Sequence, residues 1–138
     1  MAKQIFINLA VKDVQRSMEF YTALGFTNNP QFSDDSGKCM VWSDSIYLMI
    51  LSQEKFATFA TKPIADTKSN VAALLSLSMD SAEEMNAMMT NGLNAGGIEP
   101  TEMKENSFMQ HRTIEDFDGH TWEIFFMDMS KFPTQTTN

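Results

Sequence analysis

The chain is poor in the residues that would point to several common chemistries. Its 138 residues include one cysteine, Cys39, so an intramolecular disulfide is excluded and a reducing compartment is expected. Basic residues are outnumbered, ten Lys and Arg against eighteen Asp and Glu, for a net charge of −8. Nucleic acid and anionic membranes both need a basic surface, so neither is expected as a partner. No stretch approaches the roughly 20 apolar residues of a membrane span, and the N-terminus lacks the apolar run of a signal peptide. The cytoplasm is the expected location. Glycine is also sparse, at six residues. The pair Gly96-Gly97 follows a helical stretch, whereas a phosphate-binding loop precedes one. Only two histidines, His111 and His120, are present to ligate a metal or carry acid–base chemistry.

What is present is one pattern used twice. The alternating run Ile5 to Val11 leads to Asp13, a helical stretch and Leu24-Gly25-Phe26. Leu74 to Met79 leads to Asp80, expected to cap a second helical stretch that ends at Ala95-Gly96-Gly97. In the first run Ile5, Ile7, Leu9 and Val11 share one face, and Phe6, Asn8 and Ala10 the other. Asp13 is placed to cap the first helix, with Val14, Ser17, Met18, Tyr21 and Leu24 as its buried stripe. Lys38–Trp42 and Ile46–Leu51 read as a hairpin, and residues 98–103, 107–115 and 120–127 as further extended segments. Asp118-Gly119 forms the tight turn between the last two. Phe56 and Phe59 make the connecting segment too apolar for a free linker, so it is expected to pack on the body or on a second subunit. Twelve methionines are present, and Met85, Met88 and Met89 stand at helical spacing, as core filling requires. The expected organisation is a single domain over residues 1–128. Module one covers about 4–52, a connecting segment 53–70 and module two about 71–128, with a frayed tail at 129–138.

Asn8-Leu9-Ala10-Val11-Lys12-Asp13, with Ser17-Met18-Glu19-Phe20-Tyr21 and Leu24-Gly25-Phe26, resembles the opening of glyoxalase/bleomycin-resistance proteins. These belong to the vicinal oxygen chelate superfamily. Asp116-Phe117-Asp118-Gly119-His120-Thr121-Trp122-Glu123 resembles the closing signature of that group, with Phe117 where a proline is usual. The resemblance implies an α+β fold in which two βαβββ modules form a cupped, partly open eight-stranded mixed barrel with helices outside. It also implies a homodimer that helps complete the site.

Metal-dependent members hold a divalent ion with four residues, which the resemblance carries onto Phe6, a position at or next to Met49, Leu74 and Glu123. Phenylalanine and leucine have no donor atom, and a lone glutamate cannot hold such an ion. The expectation is therefore no metal and no cofactor. His120 and Glu123 are three apart on a strand and point to opposite faces, so a two-histidine, one-carboxylate triad fails. A His111–Glu123 pair with a further partner stays open.

In the cup the last strand directs Glu123 and Phe125 inward, with Trp122, Ile124 and Phe126 against the helices. By resemblance Ile114 faces the helices, which turns Met109, His111 and Thr113 inward; a one-residue slip would turn Gln110 and Arg112 inward instead. With Phe6, Asn8, Met49, Leu74 and Ser76 these residues form a mostly apolar pocket for a small-molecule ligand or substrate. Glu123 and His111 are its candidate catalytic pair; the other reading makes Glu123 a relic held by hydrogen bonds to Asn8, Thr113 or Arg112, or an anchor for a ligand. Trp42 is read as core packing or as a stacking surface. Two functions follow: a metal-free small-molecule binding protein, or a lyase, isomerase or dioxygenase-like enzyme using Glu123 and His111, with or without a metal.

Overall fold

A computed structural model describes residues 3–131. Module one contains β1 (Ile5–Val11), α1 (Val14–Leu24), β2 (Thr27–Asp34), β3 (Gly37–Val41) and β4 (Ile46–Ser52). A short helix, α2 (Gln53–Phe59), begins the connection. Module two contains β5 (Leu74–Met79), α3 (Ala82–Asn94), β6 (Lys104–Glu105), β7 (Met109–Glu115) and β8 (Thr121–Met127). A single 3₁₀ turn, Met129–Lys131, follows. The expected frayed tail otherwise lies outside the described residues.

Each module builds one four-stranded sheet, in the orders β1-β4-β3-β2 and β5-β8-β7-β6. In both, the first strand runs parallel to the last, and the remaining neighbours are antiparallel. The parallel pairing needs a crossover, which α1 and α3 supply. The two sheets do not close into one barrel, and the fold is a cupped open α+β arrangement.

One apolar core holds the modules together. Leu9 and Val11 of β1, Leu48 and Ile50 of β4, Leu77 of β5, and Trp122 and Ile124 of β8 all contribute. Helix α1 adds Val14, Phe20, Tyr21 and Leu24; α3 adds Met85, Met88 and Met89. The period-2 alternation of the strands sets which face meets the helices, and the helical spacing of the methionines sets their stripe. The two helices also touch, and Gly92 lets them close: a Cβ there would come within 2.6 Å of Ile114 and 2.9 Å of Leu24.

Four local readings change. Phe20, rather than Met18, is fully buried on α1. The second helix is capped by Ser81, not Asp80: its hydroxyl accepts from the Glu84 N–H while Glu84 accepts from the Asp80 N–H. Residues 53–59, with only weak periodicity, are helical because Ser52 caps them. The extended segment near 98–103 reduces to a bridge between Ile98 and Glu115, and strand β6 to two residues.

Ser17 sits in the core, and its hydroxyl has no hydrogen-bond partner among the described residues. A buried hydroxyl without a partner costs about 1–3 kcal/mol. Ser17→Ala should therefore raise the unfolding free energy by about 1 kcal/mol, read from denaturant midpoints at constant slope.

Candidate functional site

The closing signature forms a buried, hydrogen-bonded polar cluster. Asp116 is only 3% exposed. One carboxylate oxygen accepts from the backbone N–H groups of Asp118 and His120, each at 2.9 Å. The other accepts from the Tyr21 hydroxyl at 2.6 Å, and that hydroxyl accepts from the Trp122 indole N–H at 3.0 Å. Burial pushes the Asp116 carboxyl above the usual aspartate range, against the opposing pull of His120 and these hydrogen bonds. Burial and the neighbouring carboxylate push the Tyr21 phenol well above its usual value. The cluster is sealed from solvent and its acceptors are taken, so its role is to join the modules.

Asp118 and His120 extend the same joint. Asp118 accepts from the Lys12 N–H at 3.0 Å, and a His120 ring nitrogen lies 2.8 Å from the Ala10 carbonyl. A solvent-exposed place is what the tight turn predicts for His120, and this contact corrects that expectation. Phe117, standing where the related turns have proline, also has a packing role. Its ring lies 3.6 Å under the Arg16 guanidinium and edge-on to Phe20. Trp42 lies against Phe26 at 5.0 Å between ring centres, at the margin of the core.

The residues expected to line the cup fall on the sheet faces turned away from the helices. On β7 and β8, Thr113 stands opposite Glu123, His111 opposite Phe125, and Met109 opposite Met127. Ser76 of β5 stands on the other side of Glu123. Ser76, Glu123 and Thr113 therefore form one row across three strands, and His111 is a diagonal neighbour of Glu123. Such diagonals place Cβ atoms roughly 7–8 Å apart, within reach of long side chains. Neither the Glu123 carboxylate nor the His111 ring is held by a hydrogen bond or ion pair among the described residues. Leu74, at the start of β5, is 56% exposed.

Arg112 faces the helices instead. Its guanidinium makes two 2.8 Å bonds to Glu99 and one of 3.0 Å to Asn86. It is thus unavailable to Glu123, and it holds the Glu99 carboxyl below the usual range.

On the sheet of module one, Asn8 stands opposite Met49 and Phe6 opposite Tyr47. Phe6 and Tyr47 stack at 4.5 Å with planes 9° apart, and Phe6 remains 51% exposed. Tyr47 did not figure in the sequence reading; its place directly across from Phe6 on a parallel strand is a matter of register. Cys39, paired with Met49, is buried, and burial raises its thiol. A thiol in that state is not a nucleophile.

Phe6, Met49 and Leu74 give a divalent metal no oxygen or nitrogen donor, and Glu123 alone is insufficient. Among the described residues, no three of His, Cys, Asp and Glu gather closely enough to hold an ion. These residues do not fit the metal that related proteins carry.

A cavity of about 350 Å³ lies elsewhere, beside β1. Its walls come from β1, α2, the connecting segment 64–73, Leu75 and the turn 118–121, and of the expected site residues it takes only Asn8. Phe56 contributes to it, whereas Phe59 is 67% exposed, so of these two phenylalanines the first packs on the body.

Residues 3–41 match the family model described as bleomycin resistance protein-like N-terminal. No curated protein matches the chain. Similar solved structures include a hypothetical protein from S. aureus, 23% identical, covering 91% of this chain and 95% of that one, with a TM-score of 0.76. A glyoxalase-related enzyme from Fulvimarina pelagi is 18% identical, covers 91% and 88%, and also scores 0.76. A glyoxalase/bleomycin resistance protein/dioxygenase family enzyme from Burkholderia phytofirmans PsJN is 15% identical, covers 91% and 99%, and scores 0.74. The molecule thus shares its fold with these solved structures. Residues 3–41 add a sequence pattern like that of the N-terminal part of bleomycin resistance proteins. No helix among the described residues is long and apolar enough to cross a membrane.

Proposed function

We propose that the protein binds a small, partly apolar molecule without a metal, against the sheet faces turned away from the helices, and that a second copy of the chain completes the cleft. The observation that supports this reading is the half-exposed Phe6, stacked flat on Tyr47 where related metalloenzymes place a ligand. Leu74 repeats the substitution in module two. Apolar side chains left open on a sheet face are covered in use, by a ligand or by a partner surface. Glu123, Ser76, Thr113, His111 and Asn8 supply the few polar groups that orient a ligand in such a pocket.

The test combines metal analysis with a ligand screen. Protein purified without chelator should contain no stoichiometric Zn, Ni, Mn or Fe. A ligand at 100 times its dissociation constant should add about 2.7 kcal/mol of stability. Phe6→Glu should abolish that gain and shift sedimentation toward the monomer. A stoichiometric ion lost on Glu123→Gln substitution would overturn the reading.

One observation favours a second reading, an enzyme: Glu123 lies between Ser76 and Thr113 with His111 at its diagonal. There Glu123 acts as general base or acid and His111 as its partner, within the lyase and isomerase classes. Loss of turnover with retained binding in Glu123→Gln would establish it.

A further inference from the structure

The cavity beside β1 is built around an open strand edge. β1 pairs with β4 on one side only. Successive residues of a strand turn their main-chain groups to opposite edges. The Ile5 N–H bonds Ser45, on the β4 side. The even-numbered residues turn the other way: the Phe6 carbonyl accepts from the Asn8 side chain, the Ala10 carbonyl meets His120 and the Lys12 N–H reaches Asp118. The Asn8 N–H and carbonyl and the Ala10 N–H therefore face the cavity. An open edge of this kind takes an extended chain through main-chain hydrogen bonds.

The other walls select among extended chains. Phe56, Ile64, Val71 and Leu75 are apolar. Lys12 and Lys68 also line the space, and neither ammonium is in an ion pair among the described residues. Of the acidic residues that also line the space, Asp118 accepts from the Lys12 N–H, and Asp66 accepts from the Ser69 hydroxyl and the Lys68 N–H, bonds that together with the Lys12 charge hold its carboxyl below the usual range. The Thr67 hydroxyl ties the connecting segment to the turn, bonding the Asp118 carbonyl at 2.6 Å. The volume lies at the lower end of the roughly 300–1,000 Å³ of ligand pockets.

We propose that this cavity is a second binding site, for a short extended amide that carries an apolar side chain and a carboxylate. The amide continues the β1 edge at Asn8 and Ala10, the apolar side chain enters between Phe56 and Val71, and the carboxylate meets Lys12 and Lys68. The site is distinct from the sheet faces turned away from the helices, and its test reads out independently of the function proposed above.

N-acetyl-leucylleucine titrated into the full chain tests it, followed by amide ¹H–¹⁵N spectra. Saturable shifts are expected at Asn8, Ala10, His120 and Val71, with Glu123 and Phe125 unmoved. Lys12→Glu should weaken binding by about tenfold or more, as should the methyl ester of the same compound. Ala73→Trp, at an exposed position of the cavity wall, should block binding while leaving the melting temperature unchanged. Glu123→Gln should leave the affinity as it was. No saturation at low millimolar concentration would overturn the proposal. So would shifts confined to the Glu123 face, or affinity unaffected by both Lys12→Glu and Ala73→Trp. If a protein carrying the same dipeptide at its C-terminus bound more tightly than the free compound, the free small molecule would be excluded as the occupant.

Discussion

Asp116→Ala is expected to destabilise the protein by about 3–5 kcal/mol, the most of any polar substitution here. The alanine would leave three buried donors without their acceptor: the Tyr21 hydroxyl and the N–H groups of Asp118 and His120. Each such orphan costs about 1–3 kcal/mol, and the carboxylate's own burial cost, recovered on its removal, offsets part of the sum. Asp116→Asn should cost less, because its amide oxygen can still serve the two backbone donors. The two variants also separate the effect of charge. Burial raises the Asp116 carboxyl in the folded state, so the folded protein binds this proton more readily than the unfolded chain. That group's contribution is therefore largest below the ordinary aspartate range and is lost as pH rises through the elevated folded value. Asp116→Asn should abolish this component. Urea midpoints of the wild type and both variants, measured across that pH window, check the order and the sign.

Gly119→Ala is expected to lift the connecting segment from the body. Gly119 has φ +87°, where an L side chain is strained by roughly 1–2 kcal/mol. A Cβ there would also overlap the Thr67 carbonyl and come within 2.8 Å of the Lys68 Cα. Both obstacles are backbone, so no rotamer change relieves them. The segment around Thr67 is largely exposed and can move at less cost than the buried turn. The Thr67–Asp118 bond should break, giving faster amide exchange and protease cleavage at 60–73 while core protection persists. An unchanged exchange pattern would show that the turn, not the segment, yields. Because the segment walls the cavity beside β1, the same variant should bind the amide ligand weakly or not at all.

The two modules differ in how far local pattern reveals them. The alternation of β1 and the capping Asp13 are visible along the chain, because each depends on residues within one turn or strand. The inward register of Met109, His111 and Thr113 was open to a one-residue slip until the pairing of Ile114 with Trp122 set it. The metal question was legible for a different reason. Phenylalanine and leucine lack donors whatever their geometry, so side-chain chemistry alone argued against a ligand set at Phe6 and Leu74.

Other features could be reached only through the folded chain. Tyr47 enters the candidate surface only as the cross-strand neighbour of Phe6. Arg112 is drawn to Glu99 on the helix side, away from Glu123. The cavity beside β1 arises because residues 64–73 cross an edge that no sequence signal marked as open.

What the sequence determined by itself is the repeated βαβββ order, the Asp13 cap of α1, and the apolar faces of β1 and β8. All of these rest on periodicity and on contacts a few residues long. The tertiary structure alone decided how the modules join and where an enclosed space forms. Tyr21 and Asp116 stand 95 residues apart, and Lys12 and Asp118 stand 106 apart. Such contacts are selected by the packing of one core against another, and no local pattern encodes which distant partner a buried hydroxyl or carboxylate will meet.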